Sequence, residues 1–554
     1  MKRVPLASLL AVIGAVLVCF VGGLGFAQAE RSEEPLSTGA PTNLRRLTEA
    51  QYRASVNDIF GEVSLTGRFE RGLRQDRLIA VGASQQGLSP FSFEQYDVMA
   101  RGVAAQITAP DRRGALPCAP QNVERFDAAC ARMIVSSYGE RLFRRPLTNA
   151  ETQRYVGAAR AAHQRLGDFY GGVSAAISGL MVAPEFLFRV ERTEADPNLR
   201  GGIRLDAYSK AVRLSYFLTN STPDDELLRA AGAGELHTSH GLARQADRLI
   251  SSDGFETGVR AFFWDMLGFD GFADLTKDAV IYPAFNSRVA ADAEEQTLRT
   301  IVTHLIRDDG DYRDLFTTRQ THLTRALGIV YRLPVTPRTG WETTEYPEDS
   351  GRAGIITDIS FLALHSHPGR SSPTIRGMSV REVFLCQTVP PPPPDVDFSV
   401  VQDSSNTSLP TARMRLQAHA TQPACASCHR LMDPLGLPLE NFDGVGTYRA
   451  RENGAPIDTS GSINNLNFTS AGGLGQALHD TPQTSRCLVN NMYRYAVGRN
   501  AVSGERDWMN YLNGRFETSG YRVPELMRTI ATSNAFYAVT AESEGGDSTP
   551  GGGQ

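Results

Sequence analysis

The chain has 554 residues, a formal net charge of −5, 41% hydrophobic residues, and only 7 cysteines and 10 histidines. A chain of this length and apolar content can bury several cores, so roughly two to four domains are expected. The small charge excess, with basic residues scattered rather than clustered, gives no reason to expect nucleic-acid binding, and neither G-x-S-x-G nor H-E-x-x-H is present to suggest a hydrolase.

Lys2 and Arg3 precede an apolar run from Leu6 to Phe26, and Ala27-Gln28-Ala29 follows before Glu30. This is the layout of a secretory signal peptide over 1–29 with a small-residue cleavage site; an uncleaved membrane anchor is the alternative, since the run is long enough to span a bilayer. Cys19 follows Val18, where a lipidation signal wants a small residue. No later segment is apolar enough to span a membrane. The expected location is periplasmic or extracellular, or membrane-anchored if the signal stays, and thiols there pair unless something else claims them.

After a polar leader at 30–42, helical signals dominate. Thr48 with Gln51, Ser92 with Gln95, and Thr148 with Glu151 have capping-box spacing. Helical periods recur at 123–139, 149–165, 239–267, 290–307, 483–497 and 523–535. Ala207, Ala211, Leu214 and Leu218 share one helical face, and Thr222-Pro223-Asp224-Asp225 starts a second helix with its acids at the positive end of the helix dipole. Convincing strands are few. The expected fold is mainly α: multi-helical domains with irregular loops and a C-terminal cytochrome c-like module. The expected divisions are helical domains at 43–110, 111–195 and 196–340, and a connecting region at 341–394 ending in the proline run Pro390–Pro394, which must be extended. A motif-bearing module at 395–470, a helical domain at 471–538 and a flexible tail at 539–554 complete the chain.

Six cysteines remain after the signal. Cys118 and Cys130 close a short polar loop, and a disulfide is expected there. Cys386 and Cys487 pair by elimination, with two buried free thiols as the alternative. The last two lie in "CASCHRLMDPLGLPLENFDGVGTYR", Cys425 to Arg449, as C-x-x-C-H. That triplet reads as covalent attachment of one haem c, with Cys425 and Cys428 adding to the porphyrin vinyl groups and His429 held against the iron as proximal ligand. Structural zinc wants a second ligand pair at knuckle spacing, and none follows. A redox dithiol wants a βαβ context, which a Pro- and Gly-rich loop does not supply. A plain Cys425–Cys428 disulfide is the bland alternative.

Met432 is too near His429 in sequence to reach the opposite face of a haem. His479 and Met492 are the distal candidates from elsewhere, each otherwise an ordinary surface or core residue. His365 and His367 have chelating H-x-H spacing without an evident third ligand, so a loop role is favoured. Glu440, Asp443 and Arg449 either position a substrate or the haem propionates, or form an ion-pair network bracing the loop.

The stretches "LRRLTEAQYRASVNDIFG" (44–61), "FRRPLTNAE" (143–151), "APEFLFRVE" (183–191), "RLSYFLTNSTPDDELL" (213–228), "SSPTIRG" (371–377), "PPPPP", the C-x-x-C-H stretch and "YAVGR" (495–499) occur in this order. Together they resemble the planctomycete-type cytochrome-associated family, a serial set of domains of unknown function, over roughly Leu44 to Phe536. The resemblance implies a secreted, helical, C-x-x-C-H-bearing protein with a redox role, and supplies no substrate and no catalytic residue. Larger members often add an N-terminal cytochrome module that this chain lacks, so it carries one such haem motif and needs an external redox partner or a small oxidant or substrate. A haem-free extracellular scaffold or binding protein is the rival class.

Overall fold

The computed structural model describes residues 33–390, 403, 407–419 and 423–541. The expected signal peptide, Pro391–Pro394 of the proline run and the tail from 542 lie outside the described residues.

The unit that begins at Leu36 is mainly helical. Helix α1 (Glu49–Phe60) starts at the Thr48–Gln51 capping box, and α2 (Pro90–Ile107) follows. Its cap differs from the expectation: Ser89 accepts from the Ser92 amide, Pro90 takes the first helical position, and Ser92 lies inside the helix. Proline there is pre-set for helix and has no amide to leave unpaired, so Ser89-Pro90 prevails over Ser92 as the start. Helices α3 (Ala128–Phe143), α4 (Asn149–Leu166, with the Thr148–Glu151 box) and α5 (Phe169–Met181) complete an N-terminal layer. Its core contains Tyr52, Val103, Ile134, Val173 and Phe186. The Cys118–Cys130 disulfide staples the approach to α3.

Helix α6 (Ala207–Leu218) buries Ala207, Ala211, Leu214 and Leu218, as its period predicts. Asp224 caps α7 (Asp225–Gly232) by accepting from the Leu227 amide. The expected helix at 239–267 is two, α8 (Ser239–Ile250) and α9 (Gly254–Met266), parted at Ser251-Ser252-Asp253, and α10 (Ser287–Val302) runs into a single π turn at Thr303–Arg307. Among the later helices are α11 (Pro373–Ser379), α12 (Ala412–His419), α13 (Pro423–Gly436), α14 (Ala471–Asp480), α15 (Pro482–Val497), α16 (Arg506–Thr518) and α17 (Val523–Thr532). One apolar core joins residues from Leu78 to Val539, so α6, α9, α15 and α17 share it with Leu435 of α13 and Leu439 just after it.

Among the described residues the strands form five two-stranded antiparallel ribbons. Two matter here. Strand β1 (Arg45–Arg46) pairs with β2 (Phe188–Arg189), placing Arg45 opposite Arg189. Strands β3 (Gly461–Ile463) and β4 (Leu466–Phe468) form a hairpin beside α13.

Candidate functional site

The C-x-x-C-H triplet lies on a helix, not in the loop that its Pro and Gly content predicts. Helix α13 continues through Gly436, with Pro434 inside it. Near the C-terminal end, one lost i→i−4 bond is all that proline removes. The side chain of Cys425 lies outside the described residues; Cys428 is a half-buried free thiol.

Helical spacing puts His429 and Asp433 on one face, four residues apart. His429 Nδ1 lies 2.9 Å from Asp433 Oδ2, and both side chains are 12% exposed. The other carboxylate oxygen of Asp433 accepts from the Thr374 hydroxyl at 3.1 Å. Thr374 belongs to the 371–377 stretch on α11, so a second helix fixes the carboxylate that fixes the imidazole. The ring of His419, at the end of α12, stands edge-on to His429 with centroids 5.1 Å apart.

Helices α11 and α13 approach backbone to backbone. A Cβ on Gly377 would sit 1.9 Å from the Met432 carbonyl oxygen, and one on Gly436 would sit 1.7 Å from that of Pro373. Only glycine permits this crossing, which is what brings Thr374 to Asp433. Met432 is buried.

His429 lines a cleft of about 720 Å³ between α12, α13 and the β3–β4 hairpin, with Leu416, Leu437 and Phe468 as apolar wall and Arg413 and Arg430 as cations. The volume lies in the range of small-molecule and cofactor sites.

Behind α13, Glu440 is 1% exposed and Arg376 fully buried. Arg376 donates to the carbonyls of Leu439 at 2.9 Å, Phe442 at 2.7 Å and Leu362 at 3.2 Å. Glu440 accepts from Ser371 at 2.8 Å and Arg449 at 3.0 Å. Burial pushes the Glu440 carboxyl above its ordinary range despite Arg449 and Arg376. Asp443 accepts from the amides of Val445 and Thr447 at 3.0 and 2.8 Å. Glu440, Asp443 and Arg449 thus form the network that braces the turn after α13.

The distal candidates stand apart from the cleft wall. His479 engages Asp314 at 3.2 Å and Asp480 at 2.6 Å through its two ring nitrogens, and Met492 is fully buried in the main core. His365 accepts or donates through Nδ1 to Ser379 at 2.9 Å and packs edge-on to Phe361. Burial pushes it down to about 3, and burial beside Arg370 and Lys277 brings His367 to about 4. Among the described residues no three His, Cys, Asp or Glu side chains group as a metal site. Cys386 is disulfide-bonded to Cys487, tying the end of the chain before the proline run to α15. Sequence reasoning misses Asp433, Thr374 and His419. The His429–Asp433 spacing is the available signal, and it carries meaning only on a helix.

The fold and site define a helical, disulfide-stapled protein with an imidazole held by a carboxylate beside an apolar cleft. Five family models, each described as a protein of unknown function, match in series: DUF1587 at 45–109, DUF1595 at 130–191, DUF1592 at 205–333, DUF1588 at 352–452 and DUF1585 at 465–536. The chain belongs to this planctomycete-type cytochrome-associated set of serial domains, with the C-x-x-C-H helix inside the DUF1588 segment. No curated protein and no solved structure matches it.

Proposed function

We propose that this is an exported c-type cytochrome-like protein, in which Cys425 and Cys428 hold one haem c by thioether bonds and His429 is the proximal ligand. The observation that carries this is the His429–Asp433 contact. An imidazole donating Nδ1–H to a carboxylate has Nε2 free as a metal-ligating lone pair, with its orientation and basicity set by that bond. The cleft fits the group chemically: Leu416, Leu437 and Phe468 suit a porphyrin face, and Arg413 and Arg430 suit its two carboxylates. When bound, the haem supplies one-electron exchange, with an external redox partner or with a small oxidant or substrate.

Export fits the two disulfides, and no described helix is long and apolar enough to cross a membrane. The rival is a haem-free scaffold or binding protein in which Cys425 and Cys428 form a disulfide.

Protein made in a host with periplasmic cytochrome maturation should be red and keep its haem through denaturing electrophoresis. His429→Ala should remove the spectral signature of the proximal imidazole while the thioethers remain. A colourless product with a Cys425–Cys428 disulfide in its peptide map overturns the reading. The described cleft wall offers no second imidazole or thioether, so cyanide should shift the ferric Soret band rapidly. Low-spin bis-histidine spectra that ignore cyanide and turn high-spin in His419→Ala would instead make His419 the second ligand and leave electron transfer as the role.

A further inference from the structure

Four of the sequence stretches that the haem reading leaves unused converge at a site that shares no lining residue with the cleft beside α13. Arg45 comes from 44–61, Arg189 and Glu191 from 183–191, Arg213 and Tyr216 from 213–228, and Tyr495 and Ala496 from 495–499. The β1–β2 ribbon sets Arg45 directly opposite Arg189. Arg45 is 2% exposed, Arg189 5% and Arg213 7%.

Three guanidinium groups therefore surround one carboxylate. Arg213 takes Glu191 in a fork, Nε to Oε1 at 2.6 Å and Nη2 to Oε2 at 2.7 Å. Arg45 gives Nη1 to the Ala496 carbonyl at 3.0 Å and approaches Glu191 only to 3.9 Å. Its Nη2, and the Nε and Nη2 of Arg189, have no hydrogen-bond partner in the protein although buried. The stem of Arg45 lies where a Cβ on Gly498 would fall, 2.4 Å from its Cδ, so the arginine is packed into place.

Arg45 and Arg189 both line a small cavity of about 10 Å³, together with Gln51, Tyr216, Tyr495 and Ala496. That is room for one water-sized species. Buried guanidinium donors without acceptors are costly, and two cations in excess of one carboxylate more so. Tyr216 does not supply the missing charge: its hydroxyl already meets Ser55 at 2.8 Å and Arg144 at 3.0 Å.

We propose that Arg45 and Arg189 hold a single monovalent anion of halide size in this cavity, joining the N-terminal helical layer to the α6 and α15 segments. The anion accepts from the spare guanidinium donors and balances charge that Glu191 leaves unmet. The site is independent of the haem reading.

The test uses the full exported protein prepared without halide. At constant ionic strength, replacing sodium gluconate by sodium chloride or bromide should raise the thermal midpoint by roughly 2–4 °C and saturate, as ligand linkage requires. Crystals grown in bromide should show an anomalous peak between the two guanidinium groups. Arg189→Met should lose the halide dependence; if that variant does not fold, the bromide map of the unaltered protein decides. A midpoint that does not distinguish halide from gluconate, with a water and no anomalous peak in the cavity, overturns the proposal.

Discussion

Two buried arginine centres in this molecule solve the same electrostatic problem differently. Behind α13, Arg376 is met by the carbonyls of Leu439, Phe442 and Leu362, and Glu440 is shared with Ser371 and Arg449. Most of the charge there is dispersed into the backbone dipoles of the turn after α13, which lies more than 60 residues along the chain from Arg376. At the β1–β2 junction three arginines share a single carboxylate, and several of their donors have no partner. The pull on the carboxylates differs accordingly. Burial alone would raise Glu191, yet Arg213, Arg45 and Arg189 bring it down to about 2, whereas burial wins at Glu440 and raises it. The first centre braces a local turn; the second depends on one anionic side chain.

The largest difference should appear on neutralising that side chain. Glu191→Gln leaves three buried cations without their carboxylate and should cost about 3–5 kcal/mol of unfolding free energy, measured by denaturant titration. Removing the Cys386–Cys487 disulfide by a double Ala substitution should cost about 2–4 kcal/mol. Limited proteolysis should then cut first between 386 and 487, with the β1–β2 region still protected. Glu440→Gln should cost less, about 1–2 kcal/mol, because Arg376 keeps its carbonyls; a loss equal to that of Glu191→Gln would erase the contrast drawn between the centres.

The pH profile gives the smallest but most specific effect, because the two carboxyls act with opposite sign. Glu191, held low, contributes stability that is present above its unfolded value near 4.5 and is lost as pH falls toward about 2. Glu440, held high, contributes stability that is full below that unfolded value and declines as pH rises through its raised folded value. Glu191→Gln should flatten the acid limb, and Glu440→Gln the decline above pH about 4.5. The same slopes in both variants would contradict the assigned directions.

What the sequence made legible was local or arithmetic. Thr48, Thr148 and Asp224 announce their helices because a cap and the amide it serves are three residues apart. The mainly α class follows from periodicity. The pairing of Cys386 with Cys487 follows from counting the thiols left over. The motif helix is hidden because Pro434 and Gly436 read as breakers. In the structure Pro434 comes late in α13, and Gly436 is there for a helix crossing that only the tertiary structure reveals. With the helix misread, the four-residue spacing of His429 and Asp433 carries no meaning. Residue type alone then points to His479 and Met492, which the fold places away from the cleft wall. The convergence of Arg45, Arg189 and Arg213 is set by strand pairing between remote segments, which no window of sequence displays.

If Cys425 and Cys428 take a haem as proposed above, the Cys386–Cys487 bridge imposes an order on maturation. Its two ends are 101 residues apart, and Cys425 and Cys428 lie inside that span. In the newly made chain Cys386 is closer along the backbone to either of those thiols than to its native partner, and loop closure favours the shorter circuit. Thiol–disulfide exchange lets such a mispaired form persist until another thiolate attacks it. Oxidation before the C-x-x-C-H thiols are engaged should therefore trap chains joined at Cys386–Cys425 or Cys386–Cys428. The yield of correctly bridged protein then becomes a race between two kinds of sulfur chemistry on the same polypeptide.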